Sequence, residues 1–597
     1  MIFGKHINRY YLRYSWMLLI GIFALVIVDV GQLKIPELYR MVVNGLNEGQ
    51  TEVNGVMRTF DMELLLTEVC RPLIFVILMI VVGRFLWRVG FFGSAVRMEA
   101  DLRDKMFDHC KNLSQQYYQV NKVGDLMSLF TNDIETIQDC FGNGILIFFD
   151  ALLLGGLAVY KMLRMNVFLT LLCVLPMLFL FTAGSTLGRY MSRKWEERQA
   201  AFSKLSDFSQ ESFSGIAVIK AFAKEAKELL AFRKLNKHNE KVNIEFVRLS
   251  TLLNISVTLF VETVVCVILG YGGYLVHEKV FNAGQLIEFM GYFTSIVWPI
   301  MAIAMLIDMH ARGKASLKRV SELLEAPVDV KDDEEKIVEK DPVIKGTIEF
   351  RHMDFTYPGS AFPVLHDVSF TINAGENVGL IGHTGSGKTT IVDLITRTYN
   401  VPDGTLFVDG IDVNTMPIHT LRDHVAYVPQ DNFLFSDTIG ANIAFAFDDA
   451  EDRNAIRRAA RLADVSGNIE EFPDKYETVL GERGVTVSGG QKQRISIARA
   501  LMKEAEILIL DDSVSAVDTG TEKIILDNLR STRAGKTTIL IAHRVSTIEH
   551  MDKIIYIDDG RIVDVGTHAE LLGRCKAYAD MVQLQRLEDE KQEGGLN

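Results

Sequence analysis

The sequence predicts two units in series. The first is a membrane all-α bundle of six transmembrane helices with long cytoplasmic extensions. The second is an α/β domain of P-loop type. Three observations predict this. Mean hydropathy is positive, at +0.16, and 48% of the 597 residues are apolar against 23% charged. Apolar stretches close to the ~20 residues a bilayer requires recur through the first half of the chain. In the second half, Gly382–Thr389 reads G-x-x-x-x-G-K-T between an apolar strand and a helical pattern. The predicted bounds are 1–325 for the membrane domain, 326–344 for a charged linker, 345–590 for the α/β domain and 591–597 for a tail.

The spans are read at Trp16–Leu33, Leu73–Leu86, Gly144–Tyr160, Val167–Leu187, Leu252–Leu275 and Ile287–Ile307. The second is the weakest, because Arg84 and Arg88 interrupt it. The third and fourth form a hairpin across a polar link, Lys161–Asn166. Arg88–Gly142 and Gly188–Ser250 are too polar for lipid and too periodic for coil, so the membrane helices are expected to continue into water. The basic N-terminal tail (Lys5, Arg9, Arg13) and the basic long loops (Arg193, Lys194, Arg198, Lys204) put both termini and those loops in the cytoplasm. Lys161 and Arg164, on the opposite side, break that rule. The first span lacks a small-residue cleavage site and reads as a retained membrane segment in a plasma-membrane protein, not a signal peptide.

Composition excludes several classes. The formal charge of −13 argues against a nucleic-acid coat protein. Cys70, Cys110, Cys140, Cys173, Cys266 and Cys575 form no C-x-x-C pair, so neither a zinc site nor a redox motif is indicated, and reduced apolar fillers are expected. There is no internal repeat or low-complexity segment. Asp329–Lys345 carries mixed charge and reads as a solvated linker. Beyond it, β-branched runs at Gly346–Phe350, Asn377–Ile381, Ile507–Leu510 and Thr537–Ile541 alternate with helical patterns, which predicts a largely parallel sheet.

The P-loop is Gly382-His383-Thr384-Gly385-Ser386-Gly387-Lys388-Thr389, followed by Thr390. Its glycines let backbone N–H groups close around phosphate oxygens, and the helix N-terminus adds favourable partial charge. Lys388 is placed for the β- and γ-phosphates, and Thr389 for Mg²⁺. Ile507–Leu510 is a buried strand that delivers Asp511 to the same Mg²⁺. ATP and Mg²⁺ are the expected cofactors.

These residues, with several others, resemble the half-size exporters of the ATP-binding cassette (ABC) superfamily. Val487-Ser488-Gly489-Gly490-Gln491 is close to the family's L-S-G-G-Q signature. Gln430 in YVPQDN, Ser515-Ala516-Val517-Asp518, His543 in LIAHR and Tyr357 in FTYPG match further positions. Thr478–Gly484 is similar to the exporter segment before the signature, and Gly124–Asp133 and Glu211–Phe222 to the family's two intracellular loops. The match spans nearly the whole chain. The resemblance implies an α/β domain of ABC type, adenine stacking on Tyr357, a γ-phosphate sensor at His543, and Mg²⁺ held by Thr389, Gln430 and Asp511. It also implies a head-to-tail dimer in which Val487–Gln491 reaches ATP bound on the partner subunit. A plain helix-start turn accounts for Ser-Gly-Gly but not for Gln491 and the spacing.

One departure matters. The family's hydrolytic residue is Glu directly after the Mg²⁺ aspartate, and here it is Asp512. Asp is shorter by one methylene, roughly 1.5 Å. A base must lie within about 2.6–3.2 Å of its water, and misplacement by about 1 Å costs on the order of a hundredfold. The expected protein is therefore one half of a heterodimeric multidrug-type exporter. Its own site is slow, and its signature serves a different chain carrying Glu. Asp512, His543 and Gln430 make the expected hydrolytic set. ATP binding closes the dimer, and loops near Tyr117–Met127 and Lys204–Glu225 carry the motion to the spans. Among charges inside the spans, Asp29, Arg84, Asp150 and Glu262 are candidates for the path, and Asp29 with Glu262 hints at cationic cargo. A lipid or lipopeptide flippase of this architecture and a regulatory or channel-like subunit are the alternatives. A soluble or DNA-repair ATPase is excluded by the spans.

Overall fold

The computed structural model describes residues 3–594 apart from 54, 339–341, 448–451, 482–483, 485 and 516, and describes side chains outside 177–189, 304 and 588–594. The chain divides into two compact units. One comprises Met1–Lys111 with Val123–Ala326, the other Asn112–Lys122 with Pro327–Asn597.

The first unit is helical. Among the described residues, five stretches are long and apolar enough to cross a membrane: Ser15–Glu48, Met62–Asn112, Val123–Met165, Glu225–His277 and Ala283–Leu324. The expected fourth span opens with the apolar Val167–Pro176 of the 48-residue helix Val167–Ser214. Its remainder, side chains 177–187, lies outside the described residues. The interrupted second span is a continuous helix, Arg71–Asn112, and Arg84 and Arg88 on it are both exposed. That helix crosses Ser15–Gln32 closely: a Cβ on Gly90 would lie 2.8 Å from the Met17 carbonyl and 2.9 Å from the Gly21 Cα. Small residues are what such approaches require. A short hairpin of β1 (Gln50–Val53) and β2 (Val56–Thr59) precedes it.

The polar link expected at Lys161–Asn166 is shorter than read. Ile134–Met165 is helical, and Asn166 alone turns the chain, its Oδ1 capping the Leu169 N–H at 2.9 Å. The charge that broke the orientation rule has a partner: Lys161 pairs with Glu37, as does Lys34. Tyr292 donates to Glu288 at 2.8 Å, and Arg40 bonds the same carboxylate at 3.0 Å. All six cysteines are free. Four are buried, Cys70 is half-buried and Cys266 is exposed, so the last two are not core fillers.

The second unit holds two sheets. A six-stranded sheet has the order β12-β11-β5-β10-β9-β8. Its strands are β5 (Asn377–Ile381), β8 (Val425–Val428), β9 (Ile507–Asp511), β10 (Thr537–Ile541), β11 (Lys553–Asp558) and β12 (Arg561–Gly566). Only the β11–β12 pair is antiparallel. The second sheet is antiparallel and was not expected: β4-β3-β6-β7, from β3 (Ile348–Phe355), β4 (Leu365–Ile372), β6 (Leu406–Val408) and β7 (Ile411–Asp412). The parallel strands have apolar centres because both faces are covered; β9 and β10 are buried at every position.

The linker is not simply solvated. Asp332 Oδ1 accepts the Ile418 N–H at 2.9 Å, the Asp329 carbonyl accepts from Asn400 at 2.8 Å, and Lys336 pairs with Asp403 at 2.7 Å. Its charges are spent strapping the chain onto the α/β unit.

Candidate nucleotide site

Sheet order gathers the site. β5, β10 and β9 are parallel neighbours, with Leu380 beside Ile541 and Ile541 beside Asp511. Their C-terminal ends therefore place the Gly382 loop, His543 and Asp511-Asp512 along one edge, where ligands bind open α/β sheets.

The loop leads into the helix Lys388–Ile395. Gly385 and Gly387 have φ of +85° and +100°, which side chains rarely adopt. A Cβ on Gly382 would lie 1.9 Å from the Ile557 carbonyl. Lys388 is buried, and its Nζ donates to the carbonyls of Gly382 and His383, both at 2.9 Å. Burial lowers its pKa, opposed by Asp511 and Asp512. His383, Thr384 and Gly385 are exposed, whereas Ser386 is buried with its Oγ unpartnered.

Asp511 is buried, its Oδ2 has no partner, and the Thr389 hydroxyl bonds the same carboxylate. Desolvation raises its pKa. An orphaned buried carboxylate oxygen beside a threonine hydroxyl is a donor set that suits Mg²⁺, a hard cation taking oxygen ligands. Thr389 and Asp511 are thus brought together. Gln430 is exposed and shares a cleft with Asp512, Gly489, Lys492, Gln493 and Ser515.

Asp512 has a φ of +46°. Its N–H donates to the Ile541 carbonyl at 3.0 Å. Its own carbonyl accepts from Gln493 Nε2 at 3.2 Å and Ser515 Oγ at 2.9 Å. Three hydrogen bonds fix this backbone, so its side chain cannot advance by sliding. Asp tolerates the left-handed region better than most residues.

Ser488 N-caps the helix Gly489–Met502 in a capping box with Gln491. The Ser488 N–H donates to Gln491 Oε1 at 3.0 Å, and Ser488 Oγ accepts from the Gln491 N–H at 3.3 Å. A helix start therefore does account for Gln491, contrary to the expectation from its spacing. Val487 is half-buried beside it, and Gly490 follows Gly489 at the exposed start of the helix. Asp518 caps the helix Thr519–Thr532 through the Thr521 N–H at 3.0 Å. Val517 packs on the core. Ala516, and Glu482-Arg483 of the Thr478–Gly484 segment, lie outside the described residues.

The Tyr357 hydroxyl bonds Thr390 Oγ1 at 2.8 Å, and its ring meets Phe355 and Tyr399 edge-on at 5.1 Å each. This ties the strand side of the site to the P-loop helix. Sequence reasoning missed Gln493, and also Arg499, whose guanidinium bonds the carbonyls of Asn442 and Phe433 at 2.8 and 2.9 Å. Their signal was regular spacing on the helix after the signature, where Gln493 and Arg499 fall among buried residues. In the first unit, Asp29 is buried with Asp150 as its charged neighbour, and Asp150 accepts from Trp298 Nε1 at 2.8 Å. Arg84 and Glu262 are exposed.

Comparison with known proteins matches both units. Residues 18–300 match the ABC transporter transmembrane region family, and residues 365–515 match the ABC transporter family. The chain is 36% identical over 592 residues to the probable multidrug resistance ABC transporter ATP-binding/permease protein YheI of Bacillus subtilis (strain 168), covering 98% of this chain and 97% of that protein. It is 35% identical over 582 residues to the multidrug resistance-like ATP-binding protein MdlA of Escherichia coli (strain K12), covering 97% and 96%. A solved bacterial Atm1-family ABC exporter with ATP bound superposes with a TM-score of 0.74 at 25% identity, covering 97% of this chain and 99% of that one. The chain therefore belongs to the ABC transporter family, as a multi-pass membrane protein fused to an ATP-binding domain, an ATPase whose hydrolysis is coupled to transport.

Proposed function

We propose that this chain is one half of a heterodimeric exporter in the plasma membrane, moving a hydrophobic or amphipathic substrate outward by alternating access, with six spans and both termini in the cytoplasm. The relatives named for multidrug resistance support the substrate class. The observation that carries the asymmetric assembly is Asp512, one methylene short of Glu, on a backbone held by Ile541, Gln493 and Ser515.

In this reading Lys388 and the P-loop amides hold the phosphates, and Tyr357 turns its ring to the adenine. His543 donates to the γ-phosphate. Thr389, Asp511 and Gln430 would hold Mg²⁺, which would supply neutralisation of phosphate charge. Asp512 accepts a proton from water too distantly for fast turnover. Val487–Gln491 completes the site on the other subunit, with Ser515–Asp518 beside it. Affinity for ATP is greater in the closed dimer, and that difference drives the spans outward.

Affinity purification of the full chain in mild detergent tests this. The expected result is a stoichiometric second polypeptide of similar size whose motif carries Glu after the Mg²⁺ aspartate, and ATPase activity that needs it. A homodimer of this chain with the brisk turnover of ordinary exporters overturns the proposal.

A further inference from the structure

We propose that Gln585 is a positioning residue for His543, acting from the C-terminal helix. The helix Lys576–Gly594 packs on the sheet through Tyr578, Met581 and Val582, which are 0%, 8% and 4% exposed. Gln585 follows at three, four and seven residues from these, so it continues the buried face by one turn. A polar residue there needs partners, and it has two. Its Nε2 donates to the His543 carbonyl at 2.7 Å, and its Oε1 accepts the Val545 N–H at 2.8 Å.

One planar amide thus clasps the backbone on both sides of Arg544. The short helix Val545–Ile548 receives no cap from the Arg544 side chain, and Gln585 supplies that acceptor from a distant element. The other arm fixes the peptide plane after His543. The strand before it is already fixed, since Ile541 accepts from the Asp512 N–H and pairs with Asp511. His543 is held from both ends while its side chain stays exposed. Removing Gln585 lets the carbonyl of His543 rotate and the imidazole swing away from its target. Misplacement of that size costs binding even where no contact with the ligand is lost.

The proposal rests on the reading of His543 as the γ-phosphate contact, so the test separates the two. The full chain, in the assembly in which it purifies, is photolabelled with 8-azido-ATP, and its own band is competed with MgATP or MgADP. His543→Ala is expected to lower the preference for MgATP over MgADP about tenfold, the loss of a hydrogen bond to a charged oxygen. Gln585→Ala is expected to lower it at least about threefold, and the double variant no further than His543→Ala alone. Gln585→Glu keeps the acceptor for Val545 but loses the donor to His543. It sets a carboxylate oxygen against that carbonyl and is expected to lose the same preference. If both Gln585 variants keep the wild-type preference while His543→Ala loses it, the proposal is overturned and the reading of His543 stands. If Gln585→Ala weakens MgATP and MgADP equally, Gln585 only stabilises the fold and the proposal is overturned. If His543→Ala changes nothing, the γ-phosphate reading falls and the proposal with it.

Discussion

At the scale of residues, Asp512 combines two constraints. Its φ of +46° suits Asp, and its carboxylate is short for a base. In a complex whose partner has lost its own Glu, Asp512→Glu is expected to raise ATP turnover at this chain's site roughly tenfold or more, recovering part of the loss that ~1 Å of misplacement causes. The same change is expected to cost about 1 kcal/mol of stability, because Glu is less at ease in the left-handed region; a thermal melt beside the ATPase assay checks both. Asp393 carries a pH dependence. Burial, with Asp511 nearby, pushes its carboxyl up to about 6. A raised carboxyl binds its proton more tightly when folded, so stability falls as pH rises from about 4 to about 6 and stays lower above. Asp393→Asn is expected to raise nucleotide-free stability at pH 7.5 by on the order of 2 kcal/mol once its partly exposed edge is discounted, and to flatten the profile between about pH 4 and about pH 6. The P-loop was legible residue by residue, because its glycines answer to backbone geometry that only glycine meets. Gln585 was not, because nothing local marks a glutamine whose partners lie on another element.

At the scale of elements, the strands that hold the site were read almost to their ends. Asn377–Ile381 and Thr537–Ile541 agree with the structure, and Ile507–Leu510 extends by the single residue Asp511. Fully buried parallel strands announce themselves as apolar runs bounded by turns. Of the antiparallel sheet, only the start of β3 was read, as part of Gly346–Phe350; β4 was missed because it alternates, with every second position of its C-terminal half exposed. The capping box at Ser488 and Gln491 was overlooked for the opposite reason: a functional explanation was at hand. The helix Gly489–Met502 is anchored by Arg499, which fills the acceptors of Asn442 and Phe433. Arg499→Ala is expected to destabilise the α/β unit by about 1–2 kcal/mol, since it strips two donors from the buried Asn442. Chemical denaturation followed by tryptophan-independent circular dichroism measures it.

At the scale of the whole molecule, periodicity and charge defined the membrane half and its motifs defined the other. Segment Asn112–Lys122 groups with the α/β unit although it is bracketed by membrane-unit helices. Sequence position alone assigned it elsewhere, because only contacts reveal which body a short loop joins. Lys161, which counts against the expected orientation, pairs with Glu37. Glu37→Gln is expected to lower the stability of the detergent-solubilised chain by about 2–3 kcal/mol by stranding Lys161 and Lys34. Adding Lys161→Met should return most of that loss, as read by thermal unfolding of single and double variants.

A hydroxyl has one hydrogen and two lone pairs. Ser488 spends a lone pair on the Gln491 amide, and its hydrogen remains free to aim outward. In the proposed assembly the helix thereby fixes the oxygen before any anion arrives, so an incoming phosphate would need only the turn of one hydroxyl and no reorganisation of the chain that bears it.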